Sequence, residues 1–160
     1  MQNLNTLILD EGVQVIGSEA HWLCPNLSSI TIPDTVTLIG NRAFVDTADY
    51  NYEANWIDDV LYIGNHVIQA KESLPNEYVI KDGTCTIGDC AFSSCISLTS
   101  ITIPDSVTSI GSSAFVSCNS LTNIVFNGMM SQWNDISKGN NWKRFVPATY
   151  VQCSDGQVAL

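Results

Sequence analysis

Positive charge is scarce in this chain. Its 160 residues include 6 Lys and Arg against 16 Asp and Glu, a formal net charge of −10 at pH 7. A nucleic-acid binder replaces phosphate counterions with clustered Lys and Arg. No such cluster occurs here, so nucleic acid is excluded as a partner, and anionic lipid is disfavoured by the same scarcity. No apolar run approaches the roughly 20 residues of a membrane span, so direct membrane insertion is not expected. No basic, apolar, small-residue export signal opens the chain. Histidines number two, His21 and His66, and no H-E-x-x-H pair, G-x-S-x-G elbow or phosphate-binding loop is present. Without a convergent set of acid, base and nucleophile, the chain does not read as an enzyme. No catalytic residue, metal or cofactor is expected.

What the chain has is apolar residues, 45% of the total, arranged with a fixed period. Ser97–Phe115 reads SLTSITIPDSVTSIGSSAF and Asn26–Phe44 reads NLSSITIPDTVTLIGNRAF. Both follow L-x-x-I-x-I-P-D-x-V-x-x-I-G-x-x-A-F. The period is 23 residues, as in Leu4 to Leu27, Gly17 to Gly40 and Ile80 to Ile103. Copies fall at about 4–25, 27–48, 75–97 and 98–120, with a partial copy at 121–127. Down the copies run columns such as Leu7, Ile30, Tyr78, Ile101 and Ile124, and His21, Phe44, Phe92 and Phe115.

Within a copy, L-x-x-I-x-I alternates branched apolar with small polar residues, the period of a half-buried strand. Pro-Asp reads as a turn. V-x-x-I reads as a second, shorter extended piece, and the glycine after it as a tight bend. The A-F segment fits a short helical or 3₁₀ turn with Phe as a wedge. One copy cannot bury its own apolar face but a stack can, which predicts a solenoid of parallel β ladders.

The frame, extended by its cysteine to A-F-x-x-C in Leu98–Cys118, resembles the BspA-like bacterial surface type of leucine-rich repeat over about 1–48 and 75–127. The resemblance implies a leucine-rich-repeat solenoid. It also implies an extracellular or cell-surface setting and a tendency toward adhesion and binding of host proteins. It assigns no site residue.

Three departures break the pattern. The first copy begins almost at Met1 with no polar cap before Leu4, which reads as a fragment of a longer chain. An insertion spans about 49–74, where Val60–Ala70 reads as a hairpin around Gly64-Asn65. Tyr50, Tyr52, Trp56 and Tyr62 crowd this insertion. They are candidate contact residues, or rings that merely cover the sheet beneath. The tail, 128–160, reads as a C-terminal cap. Met129–Ile136 forms its short helix, Asp155-Gly156 turns a second hairpin, and Trp133 and Trp142 shield the last coil.

Six cysteines could pair in a secreted chain. However, Cys24, Cys95 and Cys118 share one repeat column with Thr47, which suits small buried residues, and free thiols are favoured. Glu11, Asp34, Asp82 and Asp105 share a turn column and read as solvated turn residues rather than a calcium row.

The expectation is a single repeat domain over 1–160, serving as a noncatalytic binding or adhesion module. A protein or carbohydrate partner would meet the hydroxyl-rich strand face, including Thr31 and Thr102, together with Tyr50, Tyr52, Trp56 and Tyr62. The alternative is a structural spacer with no ligand. A remote alternative is a glycan-processing enzyme using acids near Asp58. The oligomeric state is left open.

Overall fold

The computed structural model describes residues 3–160. In chain order the elements are β1 (Thr6–Ile8), β2 (Val15–Ile16), β3 (Ser29–Thr31), β4 (Leu38–Ile39), α1 (Ala48–Asn51), a 3₁₀ turn (Glu53–Asn55), β5 (Trp56–Ile57), β6 (Val60–Ile63) and β7 (His66–Ala70). They continue with β8 (Glu77–Val79), β9 (Thr86–Ile87), β10 (Ser100–Ile103), β11 (Ser109–Ile110), β12 (Asn123–Phe126), α2 (Met130–Asp135), β13 (Ser137–Lys138), β14 (Tyr150–Cys153) and β15 (Gly156–Ala159).

Equivalent residues of successive copies lie side by side in parallel ladders. Leu7 pairs with Ile30, Tyr78 with Ile101 and Ile101 with Ile124. The branched face of each strand points inward, and the Ser and Thr face points out. The A-F segment forms a third wall. There the chain makes successive turns closed by i→i+3 bonds, such as the Ser93 N–H to the Cys90 carbonyl at 3.0 Å. Left-handed residues are interleaved: Cys90 (φ 57°), Ser94 (φ 61°), Ser113 (φ 55°) and Ser117 (φ 62°). This alternation aims every second N–H at the next coil. Cys90, Phe92 and Ser94 donate to the carbonyls of Ser112, Ala114 and Val116 at 3.0, 2.8 and 2.9 Å. Glu19, His21 and Leu23 donate in the same way to Asn41, Ala43 and Val45.

The stack continues past Phe126. α2 replaces the Pro-Asp turn, and β13 then pairs with β11. Ser113, Phe115 and Ser117 donate to Asn140, Trp142 and Arg144, so Trp142 takes the alanine position of a fifth coil, and its ring meets Phe115 edge-on at 6.2 Å between centroids. Trp133 from α2 is buried against Phe126 and Trp142, at 5.4 and 5.9 Å between ring centroids. The β14–β15 hairpin closes this end.

The repeat glycines act through space rather than through φ. Gly40, Gly88, Gly111 and Gly139 all lie outside the positive-φ set. A Cβ on Gly40 would lie 2.3 Å from Ser18 N, one on Gly111 2.5 Å from Asp89 N, and one on Gly139 2.3 Å from Ser112 N. At this corner adjacent coils touch backbone to backbone, and only glycine fits. The tight bend expected from the sequence is thus a close approach of coils.

The insertion changes the stack. Thr47 replaces the column's cysteine. Its hydroxyl accepts from the Tyr50 N–H at 3.0 Å, capping α1 where the chain leaves the repeat. β6 and β7 form the expected hairpin around Gly64-Asn65, but it does not lie on the surface. Every residue of β6 is buried, and all of β7 except Gln69. Leu61, Ile63 and Ile68 face the core of the first two copies, with Ile16, Ile39 and Phe44. Val60, Tyr62, Val67 and Ala70 face the core of the later copies, with Ile87, Phe92 and Phe115. β7 pairs in parallel with β9, and β9 continues through β11 to β13. β2 and β4 form a separate pair. The hairpin therefore stands where one coil of the stack would stand and divides the interior in two. The wedge column is divided as well: His21 stacks on Phe44 at 5.7 Å, and Phe92 on Phe115 at 5.1 Å.

His66 marks this junction. It is fully buried, with Nε2 3.2 Å from the Pro33 carbonyl and Nδ1 without a partner. Nε2–H therefore donates and the ring is neutral. Burial holds its pKa below the ordinary histidine value, against a smaller pull from Asp34. The unfolded chain takes up this proton first as pH falls, so the stabilisation is complete above about pH 6.5 and is lost below it. Urea midpoints should be lower at pH 5.0 than at pH 7.5, and His66→Gln should shrink the difference. An equal difference in the variant would remove His66 as its source.

Candidate functional site

An open surface is formed by the outer face of the five-stranded sheet ordered β15-β14-β12-β10-β8. Its strands present Glu77 and Val79, Ser100 and Thr102, Asn123 and Val125, then Tyr150 and Gln152 outward, while Tyr78, Ile101, Ile124 and Val151 are buried beneath. Pairing sets these side chains in two rows at about 4.8 Å per strand. Asn123 Nδ2 donates to Ser100 Oγ at 2.9 Å, and Gln157 Nε2 to Gln152 Oε1 at 3.0 Å. Glu77 is the one charged residue in the two rows. Val79 is 67% exposed and Tyr150 41%. Thr102 lies on this face. Thr31 lies on the separate β1–β3 sheet, so the hydroxyl patch read from sequence is split by the hairpin.

The four aromatic candidates separate. Tyr52 is exposed. Tyr50 and Trp56 are half-buried and meet edge-on at 5.4 Å. Trp56 Nε1 donates to the Tyr50 carbonyl at 2.8 Å, and the Tyr50 hydroxyl to Gln69 Oε1 at 3.2 Å. Lys71 Nζ lies 5.2 Å from the Trp56 ring centroid and 2.9 Å from Asp59. Tyr62 is a correction to the sequence reading, because it is buried and cannot meet a partner. Its oxygen accepts from the Lys81 N–H at 3.2 Å and lies 2.9 Å from the Tyr78 hydroxyl, which donates to the Ile57 carbonyl at 3.1 Å. With Tyr78 using its proton on Ile57, Tyr62 donates to Tyr78. Burial raises both pKa values. The chain of bonds satisfies two buried hydroxyls and holds β5 and β6 to β8.

A second feature, unmarked by any sequence pattern, is a cleft of about 390 Å³ where the hairpin interrupts the wall of turns. One side is the wall of the second copy at Arg42, Phe44 and Val45. The other is the wall of the third at Asp89, Cys90 and Ser93, and Tyr50, Gln69 and Glu72 also line it. At the corner of the cleft the Asp89 N–H donates to the Ile39 carbonyl at 2.8 Å, but among the described residues no main-chain hydrogen bond joins the turns at 41–46 to those at 90–94, although three do so at the intervals between copies one and two, three and four, and four and five. Asp89 Oδ1 accepts from the Ser112 N–H at 2.7 Å, and burial raises its pKa. The Cys90 thiol is also raised, by burial and then by Asp89. All six cysteines are thiols. Cys118 Sγ, buried in its column, donates to the Phe92 carbonyl at 3.0 Å.

Parallel ladders of 23-residue coils, inward columns of Leu, Ile and Phe, and a wall of bonded turns define a leucine-rich-repeat solenoid. The family profile described as "BspA type Leucine rich repeat region (6 copies)" matches residues 1–76 and 61–139. The chain belongs to the BspA-type leucine-rich repeat family. A leucine rich cell surface protein of Faecalibacterium prausnitzii, solved by crystallography, aligns at 24% identity over 85% of this chain and 63% of that one, with a TM-score of 0.33. This chain thus matches under two thirds of that protein's length. No curated protein matches the chain. No helix among the described residues is long and apolar enough to cross a membrane.

Proposed function

We propose that this chain is a noncatalytic binding or adhesion module of a cell-surface or secreted protein, recognising a protein or glycan through its five-stranded face. The observation that carries this reading is the face itself. It is open, regular and nearly free of charge, and it is held rigid by a fully packed core. Partners meet such a surface through apolar and hydroxyl contact rather than through ion pairs, with Tyr150 and Val79 as the exposed apolar points.

Immobilised protein presented to extracellular matrix proteins and to a glycan array should capture at least one class. The double variant Thr102→Arg, Val125→Arg should reduce that capture at least about tenfold, the loss of about 1.4 kcal/mol of contact. Both residues face outward, so the variant should fold normally. Undiminished capture would remove the strand face from the reading, and no capture of any partner would favour a spacer.

A further inference from the structure

We propose that the cleft between the second and third copies binds an extended polypeptide segment bearing basic side chains, held by main-chain groups that the interrupted stack leaves open. This site is separate from the strand face and does not depend on it.

β7 occupies the second-strand position of an intervening coil: His66 pairs with Thr86 and Val67 with Ile87, and Gly88 N–H bonds the Val67 carbonyl at 2.9 Å. The chain then begins that coil's wall. Ala70 N–H takes the Ala91 carbonyl at 2.6 Å, and the chain leaves through Lys71, whose N–H bonds the Asp59 carbonyl. The rest of the wall is missing, and the cleft is the space it would fill. On the second copy's side, the N–H groups of Arg42 and Asp46 have no acceptor among the described residues, although their equivalents in copies one, three and four all donate to the next coil. Both residues are exposed and left-handed, at φ 59° and 60°, the conformation that aims these donors across the interval elsewhere. On the third copy's side, the carbonyls of Asp89 and Ser93 accept from no coil, unlike those of Ser112 and Val116.

Open donors on one wall and open acceptors on the other are what a polypeptide backbone satisfies by strand addition. The volume lies within the usual ligand-pocket range of about 300–1,000 Å³. A sugar fits less well, because stacking needs an open ring face. Phe44 is fully buried, and Tyr50 is packed edge-on to Trp56. The sign of the partner's charge follows from the lining. Glu72 and Asp89 face the cleft. Arg42 is drawn to the neighbouring coil instead, 4.7 Å from the Trp22 ring centroid and 3.8 Å from Glu19.

The test is NMR titration of the ¹⁵N-labelled chain with the blocked pentapeptide acetyl-Thr-Lys-Val-Lys-Thr-amide. Saturable shifts are expected at the amides of Arg42, Asp46, Gln69 and Ser93, with none at Thr102 or Val125. The same peptide N-methylated at both lysines keeps its charge but loses two main-chain donors, and should bind about tenfold more weakly, as for one lost hydrogen bond or more. The Thr-Glu-Val-Glu-Thr analogue should also bind more weakly, and Glu72→Lys should cost the basic peptide about threefold. Equal binding of the methylated peptide would overturn the proposal. So would shifts confined to the strand face, no binding of the basic peptide, or cleft shifts produced by cellotetraose alone.

Discussion

Phe92→Ala is expected to lower the free energy of unfolding by about 3–5 kcal/mol. The ring is fully buried. It stacks on Phe115 at 5.1 Å and lies 6.1 Å from Tyr78 between centroids. Removing it deletes the transfer free energy of a large side chain and leaves a cavity between coils. Those coils cannot close the gap, because their spacing is set by strand ladders and wall bonds on either side. Phe92→Leu keeps most of the volume and should cost under about 1.5 kcal/mol. Phe145, 61% exposed on the fifth coil's wall, is the contrast, and Phe145→Ala should change stability by about 0.5 kcal/mol or less. Urea denaturation of the three variants checks this. A loss below about 1 kcal/mol for Phe92→Ala would mean that the wedge column is not the core.

Gly111→Ala should cost about 3 kcal/mol or more, while the identical change at Gly17 should stay within about 0.5 kcal/mol. The added carbon at position 111 would lie 2.5 Å from Asp89 N and 2.6 Å from Gly88 C. Both are main-chain atoms of the adjacent coil, so no rotamer change relieves the clash and the coils must part. At Gly17 a Cβ meets nothing within 4 Å among the described residues. Position within the repeat is the same, so the difference between the two variants isolates coil contact from local backbone preference. Thermal denaturation of the pair is sufficient. Similar losses at both sites would mean that the glycine serves its own turn.

The stack itself was legible because its signal repeats. Ile32, Ile80 and Ile103 recur in phase, and so do Phe44, Phe92 and Phe115. The Gly64-Asn65 turn was equally plain. The burial of the hairpin was harder to read, although Val-Leu-Tyr-Ile at 60–63 has no polar alternation, the pattern of a strand covered on both faces. The fifth coil was hidden for two reasons. Gly111 to Gly139 spans 28 residues, five more than the repeat, since α2 replaces a short turn. Trp142 and Lys143 also replace the alanine and phenylalanine of the A-F pair. Of the aromatic candidates, Tyr50 does line the cleft and Tyr62 lies in the core. The cleft was beyond sequence, because it is defined by main-chain bonds that are not made, and no side chain announces those.

Native-state hydrogen exchange followed residue by residue tests the interrupted stack most directly. The amides of His21, Phe92 and Phe115 each donate to the next coil and should exchange slowly, at rates approaching those of global unfolding. The amides of Arg42 and Asp46, equivalent to those of Cys90 and Ser94, lie one copy before the hairpin and should exchange many times faster. Slow exchange at Arg42 and Asp46, matching that at Cys90 and Ser94, would show an unbroken wall and contradict both the divided core and the cleft.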